Sequence, residues 1–294
     1  MPTASHRLRV SRGIGGQAAQ ASARSFARAP WSHWHTPCLT GLTMPERFPI
    51  DVDVDRVTAI AYSPAQPLGL TLLFSHGASA GQHDPFVVAY ATALARRGVL
   101  VVTYNFPFAE HGLSAPDKSE VLEACVRAAI VGARQCRPKN SLFIGGKSLG
   151  GRVASKVAAA GGAEMAGVLG LVILGYPLHP LGKPTQRRSR HLSQVDVPVL
   201  FVQGSRDVFG TAEELRDVAA GLPKGTELYV AEGGDHSFAV SKHGPLLHET
   251  IQDEIVRWMV EVTETKGAAR AIAKPRPIAA RLGRQLRSLH RSSS

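Results

Sequence analysis

Short apolar runs recur through the middle of this chain. Residues 70–74, 99–104, 142–144, 168–174, 199–202 and 227–230 are dominated by Val, Leu, Ile and aromatic residues, with no alternating polar face. Such runs read as strands buried on both faces, the mark of a largely parallel sheet. Helical spacing fills the gaps, over 85–97, 118–134, 149–160, 212–221 and 244–262. Residues 48–54 alternate apolar and acidic positions and read as an edge strand or hairpin arm with 57–62. Strand and helix alternate, so the pattern predicts a doubly wound, mostly parallel α/β sheet. Loops at the C-terminal ends of its strands collect on one edge, where ligands bind. Chemistry is therefore to be sought in the loop after each strand.

Outside 45–263 the pattern lapses, and charge explains why. The formal net charge is +11, yet no Asp or Glu occurs before Glu46 or after Glu264. The first 45 residues carry five Arg and no Lys, and residues 265–294 carry eight Lys or Arg. Residues 46–264 hold 21 basic against 23 acidic residues, so the body is near neutral and the charge belongs to two tails. Residues 1–44 are expected to be a disordered basic extension, and 264–294 a basic tail. The Arg- and Ser-rich start also has the composition of an organelle transit peptide, and a working start at Met44 is a third reading. Ile278, Leu282, Leu286 and Leu289 have helical spacing with arginines interleaved, which suits nucleic acid or an anionic membrane. Pro275, Pro277 and Gly283 interrupt that pattern, so a solvated tail is the preferred expectation. Three cysteines, Cys38, Cys125 and Cys136, form no C-x-x-C pair and fit a reducing, cytoplasmic setting. No apolar run reaches the length of a membrane-spanning helix.

The sharpest chemical signal is Gly146-Lys147-Ser148-Leu149-Gly150, a G-x-S-x-G between a buried strand and an apolar helix. In such a nucleophile elbow the serine sits on a strained turn with its hydroxyl at the sheet edge. The same residues contain Gly-Lys-Ser, but a phosphate loop needs another glycine where Ser141 stands, at the start of the strand. Lys147 is then an ordinary elbow residue. A base for Ser148 is offered by His236, in Gly234-Asp235-His236 after the last predicted strand. Asp207, in Gly204-Ser205-Arg206-Asp207, can orient that histidine and stabilise its charged form. Asp196 precedes its strand and falls on the wrong edge, and Asp235 is too close in sequence for its side chain to converge with that of His236. The order Ser, Asp, His along the chain is that of α/β-hydrolases. Oxyanion donors are expected from the N–H of Leu149, next to the nucleophile, and of Ala78 in His76-Gly77-Ala78-Ser79, with Ser79 second to it. His76 reads as a structural residue of that turn.

Tyr104 and Phe106 end a strand near the expected site and are assigned to substrate binding. Arg152, one turn beyond Ser148, reads as a structural pairing. Only 23 residues separate Gly175 from Val199, too few for a lid domain, so the cap is minimal. The basic segment 182–191 is its one candidate flap, read as solvated. No His, Cys, Asp or Glu set has metal-ligand spacing, and neither metal nor cofactor is expected.

Together Phe74-Ser75-His76-Gly77-Ala78, the elbow with Gly151-Arg152, Leu174-Gly175-Tyr176-Pro177-Leu178-His179-Pro180, Phe201-Val202-Gln203-Gly204-Ser205-Arg206-Asp207 and Gly234-Asp235-His236-Ser237-Phe238 resemble one family. It is the α/β-hydrolase-like family of bacterial dienelactone-hydrolase-like proteins, Tex relatives and the hydrolase-like domain of a non-specific-lethal complex subunit. The resemblance covers about residues 46–262, and 174–180 is its most family-specific piece. It implies an α/β-hydrolase fold with little cap, and places a triad on Ser148, Asp207 and His236. The expected activity is hydrolysis of a small ester or thioester through an acyl-enzyme, with a small molecule as substrate. The alternative is a catalytically silent scaffold that uses its tails or flap for partners.

Overall fold

A computed structural model describes residues 8–13, 44–52, 55–240 and 244–273. Their strands are β1 (Arg9–Gly13), β2 (Glu46–Val52), β3 (Asp55–Tyr62), β4 (Leu70–Ser75), β5 (Val99–Tyr104), β6 (Ser141–Lys147), β7 (Val168–Leu174), β8 (Val199–Gly204) and β9 (Glu227–Ala231). The helices are α1 (Pro85–Arg96), α2 (Pro107–Glu110), α3 (Ser119–Cys136), α4 (Leu149–Ala160), α5 (Ala212–Ala220) and α6 (Gly244–Ala273). All these strands join one sheet in the order β1-β9-β8-β7-β6-β4-β5-β3-β2. β2 and β3 form the antiparallel hairpin at one edge, β3 runs antiparallel to β5, and every other pairing is parallel.

Alternate side chains of each buried strand enter two separate apolar layers. Leu73, Val102, Ile144, Ile173 and Phe201 face the layer of α3, α4 and α5. Leu72, Val101, Phe143, Val172 and Leu200 face the layer of α1 and α6. This two-sided burial is why the runs lack a polar face. On α6, Ile251, Ile255 and Met259 recur at helical spacing and are fully buried. Trp258 beside them donates its indole N–H to Gly225 O at 2.8 Å.

From β4 the chain steps outward to β5, then returns across β4 to β6. The winding direction reverses there, which opens a crevice between the loops after β4 and β6. Those loops begin at His76 and Ser148.

The ends of the ordered body differ from expectation. Residues 9–13, assigned to a disordered extension, add β1 to the sheet edge in parallel with β9. Leu8 and Val10 pack on the core. Arg9 reaches Glu227 at 3.7 Å and Glu261 at 3.3 Å, and Arg12 reaches Glu232 at 3.4 Å. Exposed pairs of this kind contribute little each, and the ladder and the two apolar side chains do most of the anchoring. The helix expected to stop at 262 runs on to Ala273, into the stretch assigned to a basic tail. Its Ala, Lys and Arg residues favour helix after the buried stripe has ended. The leucine-arginine pattern of 278–291, Cys38 and the interrupting prolines lie outside the described residues. No helix among the described residues is long and apolar enough to cross a membrane.

Candidate active site

Ser148 sits at the junction of β6 and α4 with φ 51° and ψ −113°, a left-handed conformation that side chains rarely adopt. Its N–H donates to Leu174 O at 2.9 Å, and its carbonyl accepts from Arg152 N–H at 3.1 Å, the first bond of α4. The strand enters that sharp turn at close quarters. A Cβ on Gly146 would lie 2.4 Å from Ser75 O, and one on Gly150 would lie 2.6 Å from His76 O. Only glycine lets α4 start so near β4, and that proximity puts the loop after β4 beside the nucleophile.

Three of the predicted side chains meet here. His236 Nε2 lies 2.9 Å from Ser148 Oγ, and His236 Nδ1 lies 2.7 Å from Asp207 Oδ2. Asp207 is wholly buried and accepts two further bonds, from Phe209 N–H at 2.9 Å and from the Gln203 amide at 3.0 Å. A carboxylate that only accepts places the imidazole proton on Nδ1, which leaves Nε2 with a lone pair toward the serine hydroxyl. Phe209 covers the imidazole, with ring centroids 4.6 Å apart.

Gln203 carries no motif that singles it out in the sequence, yet it sets the position of Asp207. Its carbonyl accepts from Tyr176 N–H at 2.7 Å, and its amide also donates to Gly210 O at 2.6 Å. It thereby ties the end of β8 to the loops after β7 and β8. A polar residue closing the apolar run just before Gly204 was the available signal.

Ala78 and Leu149 both line the cavity that holds Ser148, of about 670 Å³. The turn carrying Ala78 is fixed by buried His76. Phe106 N–H donates to His76 Nε2 at 3.0 Å, and the other ring nitrogen lies 2.7 Å from Gly77 O, so Nδ1 carries the proton. Burial holds this histidine below the usual range and keeps it neutral. The structural role expected of it stands.

Tyr104 and Phe106 do not line the cavity. Both are wholly buried, with rings edge-to-face at 5.5 Å. The Tyr104 hydroxyl lies 2.6 Å from Ser75 Oγ. At the end of β5 both side chains turn into the α3/α4 layer and pack there as core. The site is lined instead by Phe86, Pro177 and Phe209, with Lys147, Arg152, Lys156 and Arg188 as its cationic side chains. Lys147 is nine-tenths buried, and its Nζ has no hydrogen-bond partner. The amine lies over the rings of Phe86 and Phe238, at 5.8 and 5.6 Å from their centres. Burial lowers it to about 8. A Cβ on Gly175 would touch both Lys147 Nζ and the His236 ring, so the amine and the imidazole are near neighbours.

The alpha/beta hydrolase domain family matches residues 69–264. Solved structures share the fold at low identity. A serine hydrolase without lid from Xanthomonas campestris is 21% identical with a TM-score of 0.58, covering 73% of this chain and 94% of its own. Dienelactone hydrolase from Anabaena variabilis is 17% identical with a TM-score of 0.59, covering 74% and 99%. Est1E from Butyrivibrio proteoclasticus is 16% identical with a TM-score of 0.58, covering 73% and 99%.

Proposed function

The chain belongs to the alpha/beta hydrolase domain family, and from that premise we propose that it is a serine hydrolase of small esters or thioesters. The observation that carries the reading is the chain of hydrogen bonds from Ser148 Oγ through His236 to Asp207, at 2.9 and 2.7 Å. In the proposed reaction His236 Nε2 takes the Ser148 proton as Oγ attacks the substrate carbonyl. Asp207 holds the imidazole in register and stabilises its charged form. The N–H groups of Ala78 and Leu149 stabilise the tetrahedral oxyanion. His236 then gives its proton to the leaving group, and a water attacks the acyl-enzyme by the reverse route.

The strained turn at Ser148 supports this reading, because strain of that kind is kept where the surrounding structure holds it for a purpose. The dienelactone hydrolase with the same fold supports the ester class. The segment 174–180 supports the narrower kinship with Tex relatives and the non-specific-lethal subunit domain. A cytoplasmic setting is supported by Cys125 and Cys136, both free thiols. We take a small molecule as the partner, and assign the basic tails no nucleic-acid or membrane role.

Labelling with a fluorophosphonate probe, followed by peptide mapping, tests the reading directly. We expect an adduct on Ser148 that Ser148→Ala and His236→Ala both abolish. Ser148→Ala is also expected to reduce turnover of any true substrate by ~10³-fold or more. No adduct from folded protein would overturn the assignment.

A further inference from the structure

We propose that the substrate carries a second oxyanion, a carboxylate or phosphate, held between Arg152 and Arg188. This rests on the hydrolase reading and adds the chemical class of its substrate. Both arginines line the cavity of Ser148 and both are half-buried. Among the described residues neither side chain makes an ion pair or hydrogen bond, and Arg152 Nε is shielded from solvent without a partner. Burial disfavours the charge on Arg152, and Arg188 disfavours it further, against a smaller offset from Tyr176 and Glu123.

Compensation nearby is partial, because Glu123 favours the charge on Arg152 but forms no ion pair with it. Glu123 is engaged by Lys156 at 3.2 Å and by the Ser119 hydroxyl at 2.8 Å. His191, next in the basic group, is held neutral down to about 4 by burial and by Lys156 and Arg152. The two carboxylates on the cavity wall each accept a backbone bond, Asp84 from Phe86 N–H at 2.9 Å and Asp117 from Phe108 N–H at 2.8 Å, and neither forms an ion pair with Arg152 or Arg188 among the described residues. Two like charges sharing a half-buried wall without a counter-ion are unfavourable, and a bound anion relieves both at once. A guanidinium also presents a planar fork that matches a carboxylate or phosphate.

The placement is built rather than incidental. Arg152 projects from α4 one turn after the nucleophile, where residues four apart lie about 5–6 Å between Cβ atoms. The backbone of Arg188 is pinned on both sides: its N–H donates to Leu178 O at 2.7 Å and its carbonyl accepts from Tyr176 Oη–H at 2.6 Å. The anion is therefore joined to the scissile carbonyl by a short spacer, and a cavity of about 670 Å³ takes a small molecule.

The test compares matched esters: para-nitrophenyl butyrate against mono-para-nitrophenyl succinate, and phenyl acetate against meta-acetoxybenzoate and meta-acetoxyphenyl phosphate. The readout is the ratio of kcat/KM for the charged to the neutral member. We expect at least one ratio of about tenfold or more in the wild type, expressed in KM. It should collapse toward one in Arg152→Gln and Arg188→Gln, with Arg152→Lys intermediate. The acetoxybenzoate and acetoxyphenyl phosphate arms separate carboxylate from phosphate. Ratios near one throughout, or a raised ratio that survives both substitutions, would overturn the proposal. Turnover of the neutral esters reads the hydrolase activity itself, so its absence defeats that reading alone. Calorimetric titration with succinate and inorganic phosphate then decides the anion site: heat lost in both variants upholds it, and no heat in the wild type overturns it.

Discussion

Two walls of one cavity are built on opposite plans. On the first, Ser148, His236, Asp207 and Gln203 are bonded to one another and to the backbone of Tyr176, Phe209 and Gly210. On the second, Lys147 Nζ and Arg152 Nε are buried without partners, and no carboxylate pairs with Arg188 among the described residues. A satisfied network resists distortion, because every displaced group would lose a bond in a poorly solvated place. An unsatisfied wall holds binding capacity that only a ligand can use. The first wall fixes geometry, and the second is left to choose the substrate.

Substitutions on the two walls should therefore move stability in opposite directions. Gln203→Leu has the larger effect. It leaves the Tyr176 N–H and Gly210 carbonyl buried without partners, and should cost about 2–4 kcal/mol in urea unfolding. It should also lower kcat about tenfold or more, as Asp207 loses one of its supports. A loss under about 1 kcal/mol would show that the network is not the anchor described. Lys147→Met should stabilise the protein at pH 7. The folded chain holds the Lys147 proton only to about 8, whereas an ordinary lysine holds it to 10.5. The unfolded chain thus binds more protons between those values, and wild-type stability rises with pH across that window. The advantage of the methionine variant, up to about 3 kcal/mol at pH 7, should shrink as pH approaches 10.5. Parallel stability curves for the two proteins would remove the buried charge from the argument. The smallest effect is expected at Tyr104→Phe, which forfeits only the bond to Ser75. Stability should fall by about 1 kcal/mol with KM unchanged, and a shifted KM would return Tyr104 to the site.

Legibility in the sequence followed how local each feature is. The strands could be read because two-sided burial leaves long apolar runs. The meeting of Ser148, Asp207 and His236 could be foreseen because each comes after such a run in a turn rich in glycine. Tyr104 and Phe106 misled because the end of a strand marks an edge of the sheet, while the facing of each side chain there depends on the loop beyond it. Gln203 was hidden by its neighbours, since a polar residue inside an apolar strand carries no mark of its partners. Arg152 read as a structural pairing, because the lack of an ion pair at its guanidinium is visible only in three dimensions. β1 was missed for a related cause. Five residues with two arginines show no run of their own, and their partner lies more than two hundred residues away in sequence.

That distance has a consequence for how the protein is made. Arg9–Gly13 leaves the ribosome long before Glu227–Ala231, the strand it must lie against. Until the final strand is synthesised, this segment has no template to join, and the cost of closing so long a loop delays it further. Its arginines suit the wait, since a charged strand is a poor nucleus for pairing with other nascent chains. A segment translated early is thus among the last to be placed, and the outer border of the sheet is sealed only once nearly the whole domain has emerged.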